Sequence, residues 1–126
     1  MSENCIFCKI ASGDIPAKKV HEDDDFIAFH DINPAAPTHL LVIPRKHVRS
    51  LAEVKDEDAP WLGRMMVLVQ KLAFDNGCTP GHDGGFRLVV NTGREGGQEV
   101  DHLHFHILGG PQIGRASCRE RVLTDV

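Results

Sequence analysis

Near its carboxyl end the chain alternates histidine with large apolar residues, in the run HLHFHIL at positions 102–108. Successive side chains of a strand point to opposite faces, so this run predicts a strand over residues 101–108. One face then carries His102, His104 and His106, about 6–7 Å apart along the strand. The other face is apolar and can pack on a core. A fold for this chain must therefore bury one face of this strand and present imidazoles on the other.

The remaining segments predict a mostly antiparallel α+β domain, with a five-stranded sheet, one long helix and a short N-terminal helix. Strands are expected from residue 20 to the acidic turn at 22–25, and over 26–30, 39–43 and 85–91. A short helix is expected over 5–11. A long helix is expected over 57–76, capped by Asp56 or Asp58, with Pro60 in its first turn and Gly77 at its end. Its apolar face has helical spacing and comprises Trp61, Leu62, Met65, Met66, Leu68, Val69, Leu72 and Ala73.

Composition limits the class of protein. A chain of 126 residues with 41% hydrophobic residues allows one domain, which we place at residues 1–112. The net charge of −4 and the lack of a basic cluster argue against a nucleic-acid partner. No apolar run approaches the roughly 20 residues that span a bilayer, and no secretory signal is recognisable. Four cysteines in such a chain predict reduced thiols and a cytoplasmic location.

Residues 113–126 differ from the rest of the chain. They show no helical or strand periodicity and carry three arginines within seven residues. Ile113 to Val122 also matches, residue for residue, the translation of a common short-read sequencing adapter. We therefore predict that this tail is an artefact without fold or function, and we set Cys118 aside with it. The coding DNA tests this prediction, because other codons across the segment would remove the match.

Three interpretations of the histidine face are open. The side chains could be ordinary polar groups on a solvated face, or they could chelate a metal. Alternatively, one imidazole could be a nucleophile while its neighbours orient it and bind charge. The preceding segment, residues 91–98, is rich in glycine, and such loops can offer backbone N–H groups to an oxyanion. A glycine loop that leads into this strand favours a phosphate beside an imidazole, and hence phosphoryl or nucleotidyl transfer.

Four runs of the sequence carry a family resemblance: CIFCKIASGDIPAKKV, EDDDFIAFHDINPAAPTHLLVIPRKHV, NTGREGGQEV and HLHFHILGG. Over about residues 4–112 the chain resembles the histidine-triad (HIT) family, in its HINT-like nucleotide-binding branch of bacterial type. The resemblance implies a HIT-like domain that forms a homodimer and needs no cofactor for catalysis. It implies a hydrolase of purine nucleoside phosphoramidates or aminoacyl-adenylates. Such an enzyme would release a nucleoside monophosphate through a nucleotidyl-histidine intermediate.

The resemblance also assigns roles to residues. His104, the middle triad position, would be the nucleophile, while His106 would contact the phosphate and His102 would support both. Asp31 would accept hydrogen bonds from the ribose hydroxyls. Core packing is the simpler interpretation of the apolar positions when they are taken alone. The resemblance adds them to the nucleotide contacts, which are Ile6, Phe7, Ile10, Ile15, Phe29, His30, Ile32, Asn91, Gly97, Gln98 and Glu99.

Cys5 and Cys8 have the spacing of half a zinc site, although two free thiols would be the simpler interpretation. The resemblance implies that His47 and His102 complete a structural zinc site. Glu99 stands where many relatives have serine, and we expect it to affect the leaving group that is preferred. The other histidines are expected to be structural or exposed: His21, His39 and His82.

Two alternative functions remain open at this point. One is a dinucleoside polyphosphate hydrolase or nucleotidyl transferase of another HIT branch, which would use the same nucleophile. The other is a zinc-stabilised nucleotide-binding module with little turnover. The intact triad argues against the second alternative, because a binding module has no need of His104.

Overall fold

The computed structural model describes residues 4–81 and 84–110. His82, the predicted domain boundary and the predicted artefactual tail lie outside these residues. None of the helices in the described ranges is long and apolar enough to span a bilayer. The elements follow one another as α1 (Ile6–Ser12), β1 (Lys19–Glu22), β2 (Phe26–His30), β3 (Thr38–Pro44), two 3-10 turns (Leu51–Glu53 and Asp56–Asp58), α2 (Ala59–Asp75), β4 (Phe86–Val89) and β5 (Phe105–Gly109).

The strands form one antiparallel five-stranded sheet in the order β1-β2-β3-β5-β4. This confirms the predicted α+β architecture with one long and one short helix. β5 lies inside the sheet, where His106 pairs with Leu41 on one side and with Val89 on the other. The histidine strand is therefore held by hydrogen bonds along both of its edges.

Both faces of the central strands are buried, which explains the continuous apolar run in β3. One face packs against α2 in a cluster that includes Leu40, Val42 and Met65. The other face packs against α1 in a cluster that includes Phe7, Ile10 and Leu41. The long helix and the short helix thus cover opposite sides of the sheet, and the short helix covers the side that carries His106.

The long helix starts later than predicted. A 3-10 turn occupies Asp56–Asp58, and Pro60 lies in the first turn of α2. The Asp58 carboxylate makes no cap bond to α2, because it accepts instead from the Lys55 amide at 2.9 Å and the Trp61 indole at 2.8 Å. Met65 is buried, but Met66 is 48% exposed, so the prediction that Met66 belongs to the core was wrong.

The histidine strand is also shorter than predicted, because β5 begins only at Phe105. The backbone N–H of His102 donates to the Val100 carbonyl, and that of Leu103 donates to Val48 at 2.7 Å. These bonds divert residues 101–104 from the strand ladder. The alternation of faces nevertheless persists, since Leu103 packs in the α2 cluster while the rings of His102 and His104 contact Phe7.

Candidate active site and metal centre

A cleft of about 400 Å³ opens on the α1 side of the sheet. His104 and His106 line it together with eleven of the predicted nucleotide contacts: Ile6, Phe7, Ile10, Ile15, Phe29, His30, Asp31, Ile32, Asn91, Gly97 and Glu99. The remaining lining residues were not anticipated from the sequence: Pro16, Ala17, Asn33, Ala35, His39, Leu41 and Val100. Two predicted site residues, His102 and Gln98, are not among the lining residues and make other contacts.

His104 is oriented by the backbone of the segment that precedes β5. Its Nδ1 lies 2.7 Å from the carbonyl oxygen of His102, and only 6% of the residue is exposed. A carbonyl oxygen can only accept, so Nδ1 carries the proton and Nε2 keeps its lone pair. Burial lowers the pKa of His104 below the ordinary histidine value. The side chain is therefore neutral at pH 7 and has one nitrogen available as a nucleophile.

His106 is linked to a second buried histidine. Its Nδ1 lies 2.9 Å from Nε2 of His39, and Nδ1 of His39 accepts from the backbone N–H of Ala35 at 2.9 Å. Because an amide can only donate, the proton of His39 must lie on Nε2, which donates to His106. The proton of His106 then lies on its own Nε2. Burial is the main cause that lowers the pKa of His106 to about 4, so it acts as a neutral hydrogen-bond donor.

Asp31 follows β2 at the edge of the cleft. One carboxylate oxygen accepts from the Asn33 amide at 2.8 Å, and the other lies 3.4 Å from Nε2 of His39. These contacts fix the carboxylate beside the histidine pair.

The sequence analysis predicted a structural or exposed position for His39, whereas the structure places it in the cleft beside His106. Alternation along β3 places it on the same face as Leu41, a signal that is visible in the sequence. Its proximity to His106 depends on the pairing of Leu41 with His106, which only the register reveals.

Phe7 connects the two histidines that come before β5. Its ring meets those of His102 and His104 edge-on, with centroids 5.9 and 5.1 Å away. It also packs edge-on against Phe29 at 5.7 Å. The Phe7 ring contributes to the burial that lowers the pKa of both histidines.

The glycine-rich loop before β5 is organised mainly by its own hydrogen bonds. The amides of Gly96, Gly97 and Gln98 donate to carbonyls within the loop, so these three do not form the anion-binding nest that the glycines suggested. The Gln98 side chain binds the Gly93 amide and the carbonyls of Arg49 and Val100. In this arrangement Gln98 holds the loop in shape.

Cys5, Cys8, His47 and His102 come together next to the cleft. Their sulfur and nitrogen ligand atoms all lie within 4.8 Å of one another. Cys5 Sγ is 3.2 Å from His102 Nδ1, and Cys8 Sγ is 3.2 Å from His47 Nδ1. Such distances suit the edges of a tetrahedron around an ion with metal–ligand bonds of about 2.0–2.3 Å.

The protonation pattern of this cluster also fits a metal. Nε2 of His102 donates to the Pro44 carbonyl at 2.8 Å, which leaves Nδ1 with the lone pair that a ligand needs. Burial and the neighbouring Cys5 raise the pKa of Cys8 to about 11, so two thiolates there need a nearby cation. The donor set could therefore hold a metal ion, with the ring orientation of His102 already set.

A second cluster, Asp31, His39 and His106, also has ligand atoms within 4.8 Å of one another. Its hydrogen bonds argue against a metal. His39 Nδ1 is occupied by the Ala35 amide, so Nε2 carries the proton and has no lone pair for an ion. We therefore interpret this group as a hydrogen-bonded chain, in contrast to the cysteine-histidine cluster.

Comparison with known proteins identifies the class. A family model described as "Scavenger mRNA decapping enzyme C-term binding" matches residues 4–118. A crystal structure of a HIT family hydrolase from Legionella pneumophila superimposes with a TM-score of 0.83 at 49% identity, and covers 87% of this chain and 96% of that one. The chain belongs to the histidine-triad family and is a hydrolase of that family.

Individual members of the family are also similar to this chain. Over 109 residues the chain is 53% identical to Protein HitA of Neisseria gonorrhoeae, which covers 86% of this chain and 98% of that protein. Over 114 residues it is 44% identical to a purine nucleoside phosphoramidase of Escherichia coli (strain K12), with coverage of 90% and 93%. A histidine triad protein from Clostridium difficile has a similar structure, with a TM-score of 0.81 and 47% identity over 87% of this chain and 93% of that one.

Proposed function

We propose that this protein hydrolyses purine nucleoside phosphoramidates and aminoacyl-adenylates and releases a nucleoside monophosphate. The observation that carries the proposal is the orientation of His104, whose protonated Nδ1 is held by a backbone carbonyl within the cleft. The name of the Escherichia coli relative, a purine nucleoside phosphoramidase, supports the substrate class. The intermediate and the residue roles below are part of the proposal.

In this proposal the cleft has a place for each part of the substrate. The purine lies against the apolar side chains of α1 and β2, among them Ile10 and Phe29, and against Ile32, which is 90% exposed at the cleft. The ribose hydroxyls donate to Asp31. The phosphate lies beside His104 and His106, and Nε2–H of His106 donates to one of its oxygens.

The reaction has two displacement steps. Nε2 of His104 attacks phosphorus. In a phosphoramidate the bond from phosphorus to the leaving nitrogen breaks, and that nitrogen takes a proton from water; in an aminoacyl-adenylate the bond to the carboxylate oxygen breaks, and the carboxylate leaves without a proton. In the second step, the hydroxide left by that water, or a water that gives its proton to solvent, attacks phosphorus and breaks the bond to His104, which returns as a neutral imidazole. The carbonyl of His102 stabilises the positive charge that the ring carries while it is bound to phosphorus.

We also propose that Cys5, Cys8, His47 and His102 bind a structural zinc ion. The ion would tie α1 to the segment before β5 and hold His102, whose carbonyl orients His104. It takes no part in the displacement steps. Thiolate ligands must stay reduced, so we infer a cytoplasmic location.

A homodimer is the assembly we propose. β4 is the last strand of the sheet and one of its unpaired edges, since β5 lies on its other side. On α2, the large apolar side chains of Met66, Val67 and Phe74 are 48%, 54% and 39% exposed. A second copy that covers these residues would remove that exposure.

The proposed activity is tested with an adenosine 5′-phosphoramidate that carries a primary amine as its leaving group. Wild type should release AMP, and His104→Ala should lower kcat by at least about a thousandfold, because the covalent route is lost. His21→Ala is the matched control, because His21 lies on β1 and binds Asp23 outside the cleft. Rapid quenching should trap labelled nucleotide on the wild-type protein but not on His104→Ala. A folded wild type that binds AMP without turnover would instead support a binding module.

A further inference from the structure

The charges around the cleft are unusual for a site that takes a phosphate ester. The described residues that line it include the carboxylates of Asp31 and Glu99 and no lysine or arginine. Phosphate sites are commonly built with cationic side chains, which offset the negative charge of the ligand. Here the described lining offers the phosphate histidine imidazoles, the side chains of Asn33 and Asn91 and backbone groups, together with two negative charges.

The two carboxylates differ in their surroundings. Asp31 accepts from the Asn33 amide and lies beside His39. Glu99 is exposed, and within residues 4–81 and 84–110 its carboxylate has neither a hydrogen bond nor an ion pair. The Gln98 side chain pins the preceding position of the loop with hydrogen bonds to Gly93, Arg49 and Val100. The backbone therefore presents to the cleft a carboxylate that has no partner among the described residues.

Glu99 and Asp31 both line the cleft that holds His104, the proposed nucleophile. In the substrate placement proposed above, Asp31 serves the ribose, and the base lies against α1 and β2. Glu99 comes from the loop before β5. Since the ribose and the base lie elsewhere in this placement, Glu99 is the carboxylate that faces the leaving group on the other side of the phosphorus.

We propose that Glu99 selects substrates whose amine leaving group carries a second, protonated amine, an inference that rests on the proposed function. A neutral leaving group leaves Glu99 facing only the negative phosphate, with which it interacts unfavourably. A cationic leaving group pairs with the carboxylate and removes that repulsion. The discrimination is electrostatic and does not alter which bonds form or break.

Two adenosine phosphoramidates of matched length test this proposal. One has a leaving group that ends in an ammonium group, as in a linear diamine, and the other ends in a methyl group. For wild type we expect kcat/KM to favour the cationic substrate by roughly two- to fivefold, the upper part of the range for an exposed ion pair. The preference should shrink as salt is raised from 0.05 to 0.5 M.

The variants separate Glu99 from a general effect of charge. In Glu99→Gln the ratio of the two kcat/KM values should approach one, and in Glu99→Lys it should fall below one. Glu95→Gln is the matched control, because Glu95 is an exposed residue of the same loop that does not line the cleft. This control should keep the wild-type ratio.

Several results would overturn the proposal. They are equal kcat/KM values in wild type, or an unchanged ratio in Glu99→Gln and Glu99→Lys. Hydrolysis of both substrates by wild type without a preference refutes the selectivity alone and leaves the proposed function standing. Hydrolysis of neither substrate by a folded wild type refutes both.

Discussion

The two hydrogen bonds of the His39 ring can be tested separately for their effects on stability and on turnover. Its Nδ1 accepts from the Ala35 amide and its Nε2 donates to His106, each at 2.9 Å, while only 6% of the residue is exposed. If Ala replaces His39, the amide of Ala35, an exposed residue, and the partly buried Nδ1 of His106 each lose a partner. Each such hydrogen bond contributes about 0.5–1.5 kcal/mol, so His39→Ala should lower the free energy of unfolding by about 1–3 kcal/mol.

Two further substitutions separate the effect of the bond at Nδ1 of His39 from the effect of the bond at Nε2. Asn places its carboxamide near Nδ1, so His39→Asn keeps an acceptor for Ala35 and loses the bond to His106. Gln places its carboxamide near Nε2, so His39→Gln keeps a donor for His106 and loses the bond to Ala35. Both should be less stable than wild type by about 0.5–1.5 kcal/mol. Turnover should be higher in His39→Gln than in His39→Asn, because only the former keeps the proton of His106 directed at the cleft.

Urea unfolding and steady-state hydrolysis of an adenosine phosphoramidate measure the two effects. His21→Ala is again the control, since its ring is bound to Asp23 near the surface and its loss should cost less than about 1 kcal/mol. Equal turnover in the Asn and Gln variants would refute the argument that the bond to His106 matters for catalysis. A loss of stability below about 0.5 kcal/mol in His39→Ala would refute the argument that these two hydrogen bonds stabilise the fold.

Other perturbations test separate parts of the structure. Burial lowers the pKa of His106 from 6.5 to about 4, so the unfolded state binds more protons than the folded state between these pH values. The free energy of unfolding should therefore fall as the pH drops below about 6.5 and stay level above it. Urea titrations at pH 5 and pH 7.5 measure this difference. Cys8→Ser should release the proposed zinc, and elemental analysis that finds as much zinc as in wild type would contradict the assigned ligands. Gly109→Ala places a Cβ 2.3 Å from Cys78 Sγ and should cost about 1–3 kcal/mol, which adding Cys78→Ala should largely restore in thermal melts. Val67→Asp should convert the proposed dimer to monomer by light scattering, and a monomeric wild type would refute the interface.

Much of the fold could be predicted because its signals are local. The apolar spacing of α2 and the alternation of Leu103, Phe105 and Ile107 are properties of neighbouring residues, and all of these residues except Met66 face the core as predicted. Element ends were less predictable. β5 begins at Phe105 because Leu103 donates to Val48, a residue far away in the chain, and no local pattern encodes that bond.

The candidate site also has features that the sequence predicts and features that only the structure shows. The sequence by itself indicated the three histidines and the cysteine pair, and the family resemblance added eleven of the residues that line the cleft. Only the tertiary structure brings His39 to His106, across a sequence separation of 67, and Cys5 to His102, across 97. It alone assigns the ring protons, since the carbonyls of Pro44 and His102 and the amide of Ala35 determine which nitrogen of each imidazole carries hydrogen. The physical reason is that residue types and their spacing are local, whereas strand register decides which distant donors and acceptors meet.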